Sequence, residues 1–437
     1  MKILFHTLGC KVNQYETQAM RHIMEQNGFE TDEYSHQPPN GERFVIIINS
    51  CTVTGESDRK LRQLLRRMRR LHPNSVLILT GCMPQAFPET AQSYSEADIV
   101  LGNASRHSLV QAVGRFLQDG RRIVEIETHD SLFEPLFVDN YQGRTRAFIK
   151  IEDGCDRYCS YCIIPYARGH VRSKPLTEIY KELECLSQKG FSEVVLVGIN
   201  LTSYGRECGN SICDAVKTAC SVPGIHRVRL GSLEPDSITP ETVKQLSAFD
   251  KLCPHFHLSL QSGCAATLKR MNRGYTPAEY LAICNNLRQH FHDCAITTDI
   301  MVGFPGEDQT EFDESLSFVK SIGFSHAHIF SYSRRPGTPA AKAKLQVPSA
   351  EKAPRSRLMA EVCMQTRDSY LDGWVGRETE VLIESISDDD CQGHSPQYFP
   401  VRVLGRAFSP GQIVRVIINR HKNGVCYGTR QTEKSPR

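Results

Sequence analysis

The sequence predicts an α/β protein in three parts joined by one linker. Residues 1–115 read as a parallel α/β sheet domain, 116–142 as a linker, 143–371 as a partial (β/α)6 barrel and 372–437 as a small antiparallel β-barrel. Three observations carry this reading. Strand and helix patterns alternate in the first segment. Six strand-like runs, interspersed with helical periodicity, fill the middle. After Trp374 the pattern becomes short alternating runs split by turn signals. A chain of 437 residues accommodates several domains. Its 40% apolar and 23% charged residues are ordinary for a globular protein and set aside disordered or collagen-like architectures.

In the first segment, Lys2–Thr7 reads as a strand ending in Leu8-Gly9-Cys10. Asn13 opens a helix, with Glu16 three residues on in a capping-box-like pattern, and Gly28 stops it. Met20, Ile23 and Met24 give that helix an apolar stripe. Residues 44–49 form a β-branched run of the kind buried on both faces of a sheet, followed at once by Cys51. A helix over 56–71 and a third strand over 76–80 follow, the strand ending in Gly81-Cys82. Ligands of parallel sheets sit beyond the carboxyl ends of the strands, so Cys10, Cys51 and Cys82 should converge at one edge. Gly9, Ser50 and Gly81 beside them would let backbone approach a metal cluster closely. Placement favours that role over three buried, inert thiols.

The chain has 17 cysteines, an odd number that disulfide pairing would leave incomplete. His6 interrupts the first apolar stretch, so no signal segment is expected. The longest apolar run, 44–48, is far too short for a membrane span. The chain reads as cytoplasmic, where thiols stay reduced and serve metal or catalysis.

Cys155, Cys159 and Cys162 form C-x3-C-x2-C. Three thiolates this close can hold three irons of a cubane cluster and leave the fourth open to an external ligand. Zinc would want a fourth ligand, and the nearest, His170, lies outside the usual spacing. Strand-like runs recur at 147–152, 193–197, 227–230, 255–260, 296–302 and 326–330, with helices at 177–189, 277–290 and 311–322. Chemistry is expected at the carboxyl ends of such strands. Gly198, Ser232, Glu234, Gln261, Ser262, Asp299 and Gly303 stand there. Small residues admit a cofactor, and acids or amides bind ribose hydroxyls and an amino group.

Residues 345–371 read as a helix returning to the barrel. The closing strands are expected at 380–384, 400–404, 413–418 and 425–428, with Pro410-Gly411 and Asn423-Gly424 as turns. The net charge is only +3, but its distribution is uneven. Residues 402–437 hold eight Lys or Arg against the single acid Glu433, and 59–70 hold seven basic residues in twelve, opposite Leu61, Leu64, Leu65 and Met68 on a helix. Arg66, Arg70, Arg420, Lys422 and Arg430 are therefore candidate RNA contacts. The alternative is a solvated helix face.

These motifs carry a resemblance. The C-x3-C-x2-C that opens a series of βα units resembles the radical S-adenosylmethionine enzymes, with Tyr161 similar to the aromatic that precedes their last cysteine. The stretches 7–16 (TLGCKVNQYE), 49–54 (NSCTVT) and 81–85 (GCMPQ) resemble the methylthiotransferases among them. Within that group, 163–169 (IIPYARG) and 332–340 (YSRRPGTPA) are similar to the branch called MtaB, which acts on N6-threonylcarbamoyladenosine at position 37 of tRNA, beside the anticodon. The C-terminal barrel resembles the TRAM domain, an RNA-binding module.

The resemblance implies two 4Fe-4S clusters and S-adenosylmethionine as cofactors. Cys155, Cys159 and Cys162 would hold the cluster whose open iron chelates S-adenosylmethionine. Reductive cleavage then gives a 5′-deoxyadenosyl radical that takes hydrogen from adenine C2. Cys10, Cys51 and Cys82 would hold an auxiliary cluster that presents sulfur, and a second S-adenosylmethionine would supply methyl. The implied partners are the tRNA anticodon stem-loop and an electron donor such as flavodoxin or ferredoxin, with the chain a monomer. Asn200 stands where another polar residue is common, and Phe87-Pro88 alter the helix start after Cys82. Related alternatives are a methylthiotransferase for N6-isopentenyladenosine of tRNA, one for a ribosomal-protein aspartate, and a non-catalytic Fe–S RNA-binding protein.

Overall fold

The computed structural model describes residues 2–35, 43–141, 143–387, 390–405 and 408–430. Arg406, Glu433, Lys434 and Arg437 of the basic tail lie outside them.

The chain opens with β1 (Lys2–Thr7), α1 (Lys11–Gln26), β2 (Glu30–Glu33), β3 (Val45–Ser50), α2 (Gly55–Leu71), β4 (Val76–Gly81), α3 (Cys82–Ala86), α4 (Pro88–Gln92), β5 (Ile99–Leu101), α5 (Leu109–Asp119) and β6 (Ile123–Glu125). The six strands are all parallel, in the order β2-β1-β3-β4-β5-β6. Side chains alternate across β3. Ile46 and Ile48 pack with Leu61, Leu65 and Met68 of α2. Val45 and Ile47 pack with Met20 and Met24 of α1 and Leu109 of α5. Helices on both faces therefore explain why 45–48 is apolar without interruption.

The sequence reading found three of these six strands. β5 and β6 are three residues long, too short for periodicity to show, and β2 is a mostly exposed edge. β6 and the end of α5 also fall within 116–142, so that segment is more than a linker. Its Leu136, Val138 and Tyr141 are buried in the core of the second domain.

That domain comprises β7 (Arg146–Lys150), β8 (Glu152–Asp153), α6 (Ile164–Arg168), β9 (Arg172–Ser173), α7 (Leu176–Gln188), β10 (Glu193–Val197), α8 (Ile212–Ser221), β11 (Arg227–Leu230), β12 (Ser232–Leu233), α9 (Pro240–Leu246), β13 (His255–Leu258), α10 (Ala265–Arg270), α11 (Pro277–His290), β14 (Ala295–Val302), α12 (Gln309–Ile322), β15 (His326–Ser331) and α13 (Ser349–Asp372). Parallel ladders β7-β10-β11 and β12-β13-β14-β15 meet where Val228 bridges Leu252 and the Cys253 N–H donates to the Val228 carbonyl at 2.8 Å. The six anticipated strands are all present and form a partial barrel.

The C-terminal domain is a closed barrel of β16 (Glu378–Ile386), β17 (Asp390–His394), β18 (Pro400–Leu404), β19 (Ile413–Lys422) and β20 (Val425–Arg430), in the order β16-β17-β18-β20-β19. It is antiparallel except for β18–β20, which run parallel. β17 (DCQGH) escaped the sequence reading because it has no apolar alternation. Its Gly393 is required, since a Cβ there would overlap the Leu382 carbonyl. The barrel docks on the partial barrel through the starts of β7 and β11. Arg146 reaches Glu384 at 3.1 Å, Arg227 reaches Glu380 at 3.1 Å, and Arg229 donates to the Pro396 carbonyl at 2.8 Å.

Candidate active site

Strand register brings the first three thiols together. Thr7 of β1 pairs with Asn49 of β3, and Ser50 of β3 pairs with Gly81 of β4. Cys10, Cys51 and Cys82 follow these aligned ends. The turns touch: a Cβ on Gly9 would lie 2.7 Å from Cys51 Cβ, and one on Gly81 would overlap the Ser50 carbonyl. Both glycines have positive φ, +124° and +105°, which side-chain-bearing residues adopt only with strain. Burial pushes the Cys51 thiol up to about 12, and the nearby Cys82 adds to the shift. Amide side chains lock the arrangement. Asn13 Oδ1 accepts from the Cys10 N–H at 3.3 Å and from its thiol at 3.2 Å, while Asn13 Nδ2 donates to Asn49 Oδ1 and the Ser50 carbonyl, both at 3.3 Å.

This pattern corrects the reading of α1. The helix begins at Lys11 with Cys10 as its N-cap residue, and Asn13 is the residue that reaches back. Glu16 is thereby freed for a different role, described below.

The second three thiols share one loop after β8. Gly154 enters it with φ +89° and could carry no side chain, because a Cβ would overlap the His170 carbonyl. The loop is pinned from outside: the Ser160 N–H donates to the Met271 carbonyl at 2.9 Å and the Ala340 N–H to the Ser160 carbonyl at 2.8 Å. Arg273 approaches Cys159 Sγ at 3.4 Å. Burial pushes Cys155 and Cys162 each up to about 12. His170, the alternative zinc ligand, is turned to Asp156 at 2.5 Å. Among the described residues, no three His, Cys, Asp or Glu close around a single ion position. All six thiols are free. As two all-sulfur sets in glycine-cleared loops, they suit Fe–S clusters by donor chemistry.

A buried charge network links the segments that follow the two sets. Glu16, six residues after Cys10, accepts from both terminal nitrogens of Arg168 at 2.7 and 3.1 Å. Lys150 donates to Glu16 and to Asp153, each at 3.0 Å, and Arg106 reaches Glu16 at 3.2 Å. Burial works against ionisation of Glu16, but Arg106, Arg168 and Lys150 outweigh it and hold the carboxyl at about 2. A second tie runs from the loop after β15. Arg335 donates to Thr52 Oγ1 at 2.6 Å and to Asp58 at 2.7 Å, and the Gly55 N–H donates to Ser333 at 3.0 Å.

A cavity of about 540 Å³ opens between all three domains. Cys10 and Lys11 line it from the first domain, Gly198, Ser232 and Asp299 from the barrel strands, and Gln397 and Tyr398 from the C-terminal domain. Four histidines of β13 and β15 face it: His255, His257, His326 and His328. Burial drives His255 well below its ordinary range and His326 down to about 4, so both are neutral at pH 7. Burial, then neighbouring Arg229 and Arg146, brings Lys11 down to about 8.

Comparison with known proteins matches this architecture. Residues 149–319 match the Radical SAM superfamily, and 2–102 match the Uncharacterized protein family UPF0004. The chain is 36% identical to a threonylcarbamoyladenosine tRNA methylthiotransferase MtaB of Thermotoga maritima, over 95% of this chain and 94% of the relative. It is 34% identical to the MtaB of Bacillus subtilis, over 95% and 93%. The chain belongs to the methylthiotransferase family of radical S-adenosylmethionine enzymes. A tRNA-2-methylthio-N(6)-dimethylallyladenosine synthase of Clostridium tetani is 32% identical, over 95% and 93%. Among solved structures, TsrM of Kitasatospora setae, a radical S-adenosylmethionine methyltransferase, shares the fold with TM-score 0.59 at 14% identity, over 78% of this chain and 74% of that one.

Membership in this methylthiotransferase family implies a 4Fe-4S cluster and S-adenosylmethionine. The strand-end residues anticipated for the cofactor fall into two groups. Gly198, Ser232 and Asp299 line the cavity. Tyr161, Glu234, Gln261, Ser262 and Gly303 lie outside its lining and are held by protein contacts. Tyr161 packs edge-on to Phe304 with ring centroids 6.3 Å apart. Glu234 is gripped by Arg273 at 3.2 and 2.6 Å. Ser262 accepts from the Cys264 N–H at 3.2 Å, and Gly303 donates to Glu307 at 2.9 Å. Gln261 holds φ +65° and its buried Oε1 has no partner. Sequence reasoning gave no site role to Asn13, Glu16, Lys150, Arg168, Arg273 and Arg335, although Asn13 and Glu16 lie in the 7–16 motif, Arg168 in 163–169 and Arg335 in 332–340.

Among the basic residues, Arg66, Arg70, Arg420, Lys422 and Arg430 are all exposed. Arg66 lies 3.5 Å from Glu96, and Arg420 stacks on Tyr427 at 4.2 Å. Leu61, Leu65 and Met68 are the buried face of α2, as the sequence implied, with Leu64 half-buried. Among the described residues, no helix is long and apolar enough to cross a membrane.

Proposed function

We propose that this enzyme converts N6-threonylcarbamoyladenosine at position 37 of tRNA to its 2-methylthio derivative. One observation carries the reading: the Glu16–Arg168 pair ties the helix that follows Cys10 to the helix that follows Cys162, in a chain whose relatives carry the MtaB name. Two sets fit two tasks, radical generation and sulfur delivery.

Cys155, Cys159 and Cys162 would hold the cluster that binds S-adenosylmethionine, and Cys10, Cys51 and Cys82 a second 4Fe-4S cluster. Bound there, these groups supply the one-electron chemistry that an unactivated adenine C2–H bond demands. The protein's own share is placement. Arg273 fixes Cys159 and Glu234 together. The Asn13–Asn49 amides fix the turn of Cys10 against that of Cys51. Gly198, Ser232 and Asp299 would hold the cofactor from the cavity lining, with Tyr161, Gln261, Ser262, Gly303 and the Arg273-bound Glu234 supporting it from behind that lining. The walls that all three domains give the cavity would limit water at the reacting atoms.

On this reading residues 1–115, 143–371 and 372–437 are the sulfur-delivering, radical and TRAM-like RNA-binding units. Arg66, Arg70, Arg420, Lys422 and Arg430 contact the anticodon stem-loop, and a flavodoxin or ferredoxin supplies electrons to a cytoplasmic monomer. Mass spectrometry of nucleosides from tRNA of a deletion strain tests the substrate. Loss of 2-methylthio-N6-threonylcarbamoyladenosine, with its precursor retained, is expected. Loss of the 2-methylthio dimethylallyl nucleoside instead would assign the enzyme to the other branch.

A further inference from the structure

We infer that the three-domain cavity seats the N6 substituent of the target adenosine and is built for a carboxylate-bearing one, with Lys11 as the counter-ion. The inference rests on the proposed substrate and adds where, and by which residues, that substrate is told from an apolar one.

The charge balance of the lining points this way. Asp299 is its one acidic side chain, and His257 already meets it at 3.4 Å. Of its cations, Arg367 is engaged by Asp368 at 3.0 and 2.8 Å. Lys11 makes no ion pair or hydrogen bond among the described residues, and its ammonium rests over the Tyr398 ring at 5.6 Å. A largely enclosed ammonium without an anion is costly, and a ligand carboxylate would satisfy it. Two further lining residues hold unmatched polar atoms, Gln397 at Oε1 and His255 at Nδ1. Buried polar atoms without partners are rare in folded proteins, and two of them behind the wall of a cavity that also holds an ammonium without an anion mark a place for a polar ligand.

The substituent chemistry fits. A threonylcarbamoyl group carries a carboxylate, ureido N–H donors, a carbonyl and a hydroxyl. A dimethylallyl group carries none and would leave the Lys11 ammonium without an anion. Position fits as well. Lys11 directly follows Cys10 and both line the cavity, so sulfur delivery and carboxylate capture share one space. Tyr398 is held in place despite φ +71°, because Arg146 and Arg229 lie against its ring at 4.9 and 4.7 Å. The loop of the C-terminal barrel thus forms part of the substituent pocket.

The test uses the cluster-loaded full chain and anticodon stem-loop RNA in three forms: N6-threonylcarbamoyladenosine, its carboxyl methyl ester, and unmodified adenosine. Binding is read by fluorescence anisotropy and product by mass spectrometry. The wild type should bind acid over ester by about tenfold, the size of one charge-assisted hydrogen bond. Lys11→Gln should bring that ratio near one, and Lys11→Arg should retain most of it. Gln397→Leu should lower affinity for acid and ester alike, relative to unmodified RNA. Equal acid and ester binding by the wild type, an undiminished ratio in Lys11→Gln, or a silent Gln397→Leu would each overturn the assignment. Failure of the wild type to methylthiolate the acid RNA would instead refute the proposed substrate, whatever the binding ratio.

Discussion

Glu16 accepts from both terminal nitrogens of Arg168, at 2.7 and 3.1 Å, and each residue lies six positions past a cysteine, Cys10 and Cys162 respectively. The pair therefore ties the helix leaving one thiol set to the helix leaving the other. Both side chains are buried, so neither charge has water to fall back on. Removing Glu16 leaves Arg168, Lys150 and Arg106 to share Asp153 and Glu134. Glu16→Gln should destabilise the fold by about 3 kcal/mol, read by chemical denaturation. A loss below about 1 kcal/mol would mean that Asp153 and Glu134 already balance Arg168, Lys150 and Arg106 without it.

The same carboxylate makes stability pH-dependent. Its folded value is held at about 2, below the ordinary value of 4.5. The stabilisation is thus complete above about 4.5 and is lost as pH falls from there toward 2, amounting to about 3 kcal/mol. Denaturant midpoints measured between pH 6 and 3 should fall in the wild type and fall less in Glu16→Gln. Parallel curves would place the acid sensitivity elsewhere.

The two thiol sets should separate by substitution. Cys159→Ala should abolish formation of 5′-deoxyadenosine from S-adenosylmethionine. Cys51→Ala should retain it and yield no methylthiolated RNA. Anaerobic analysis should find about eight irons per wild-type chain and about four in Cys51→Ala. Methylthiolated product from Cys51→Ala would refute the role given to the first set.

Arg335 holds the segment after Cys51 to the barrel through Thr52 and Asp58. Arg335→Ala strips Asp58 of its counter-ion and should cost about 2 kcal/mol. The more specific expectation is uncoupling: 5′-deoxyadenosine continues to form while product per cleavage falls several-fold. Product and cleavage falling together would reduce Arg335 to a purely structural tie.

Exposed basic residues should act through the RNA backbone. Arg420→Ala and Lys422→Ala should each weaken stem-loop binding whatever the nucleoside at position 37, and each should reduce the slope of log affinity against log salt by about one. An unchanged slope would move the RNA surface away from β19.

The sequence was legible where the controlling interactions are local. β1 and β10 have the bounds that the pattern implies, and all six main barrel strands are present. Short strands without alternation, β5, β6 and β17, left no such trace. Asn13 was misread for a physical reason. A capping residue and the residue that reaches back to it share the same chemistry, and only the backbone shows that Cys10 holds the cap. That misreading hid Glu16, whose apparent capping partner position masked a buried ion pair.

The sequence by itself determined the α/β class, the three-part order and the family, and it singled out six cysteines among 17. Periodicity, turn residues and motif spacing act over a few positions, so the linear order contains them. The tertiary structure decided which distant side chains meet: Glu16 with Arg168 across 152 positions, Arg335 with Thr52 across 283, and Lys11 with Tyr398 in one cavity. Such meetings depend on how the three parts of the chain pack together, as where Val12, Tyr15 and Ala19 of α1 join the core of the barrel. A buried charge finds its partner only after that packing, and no local pattern encodes it.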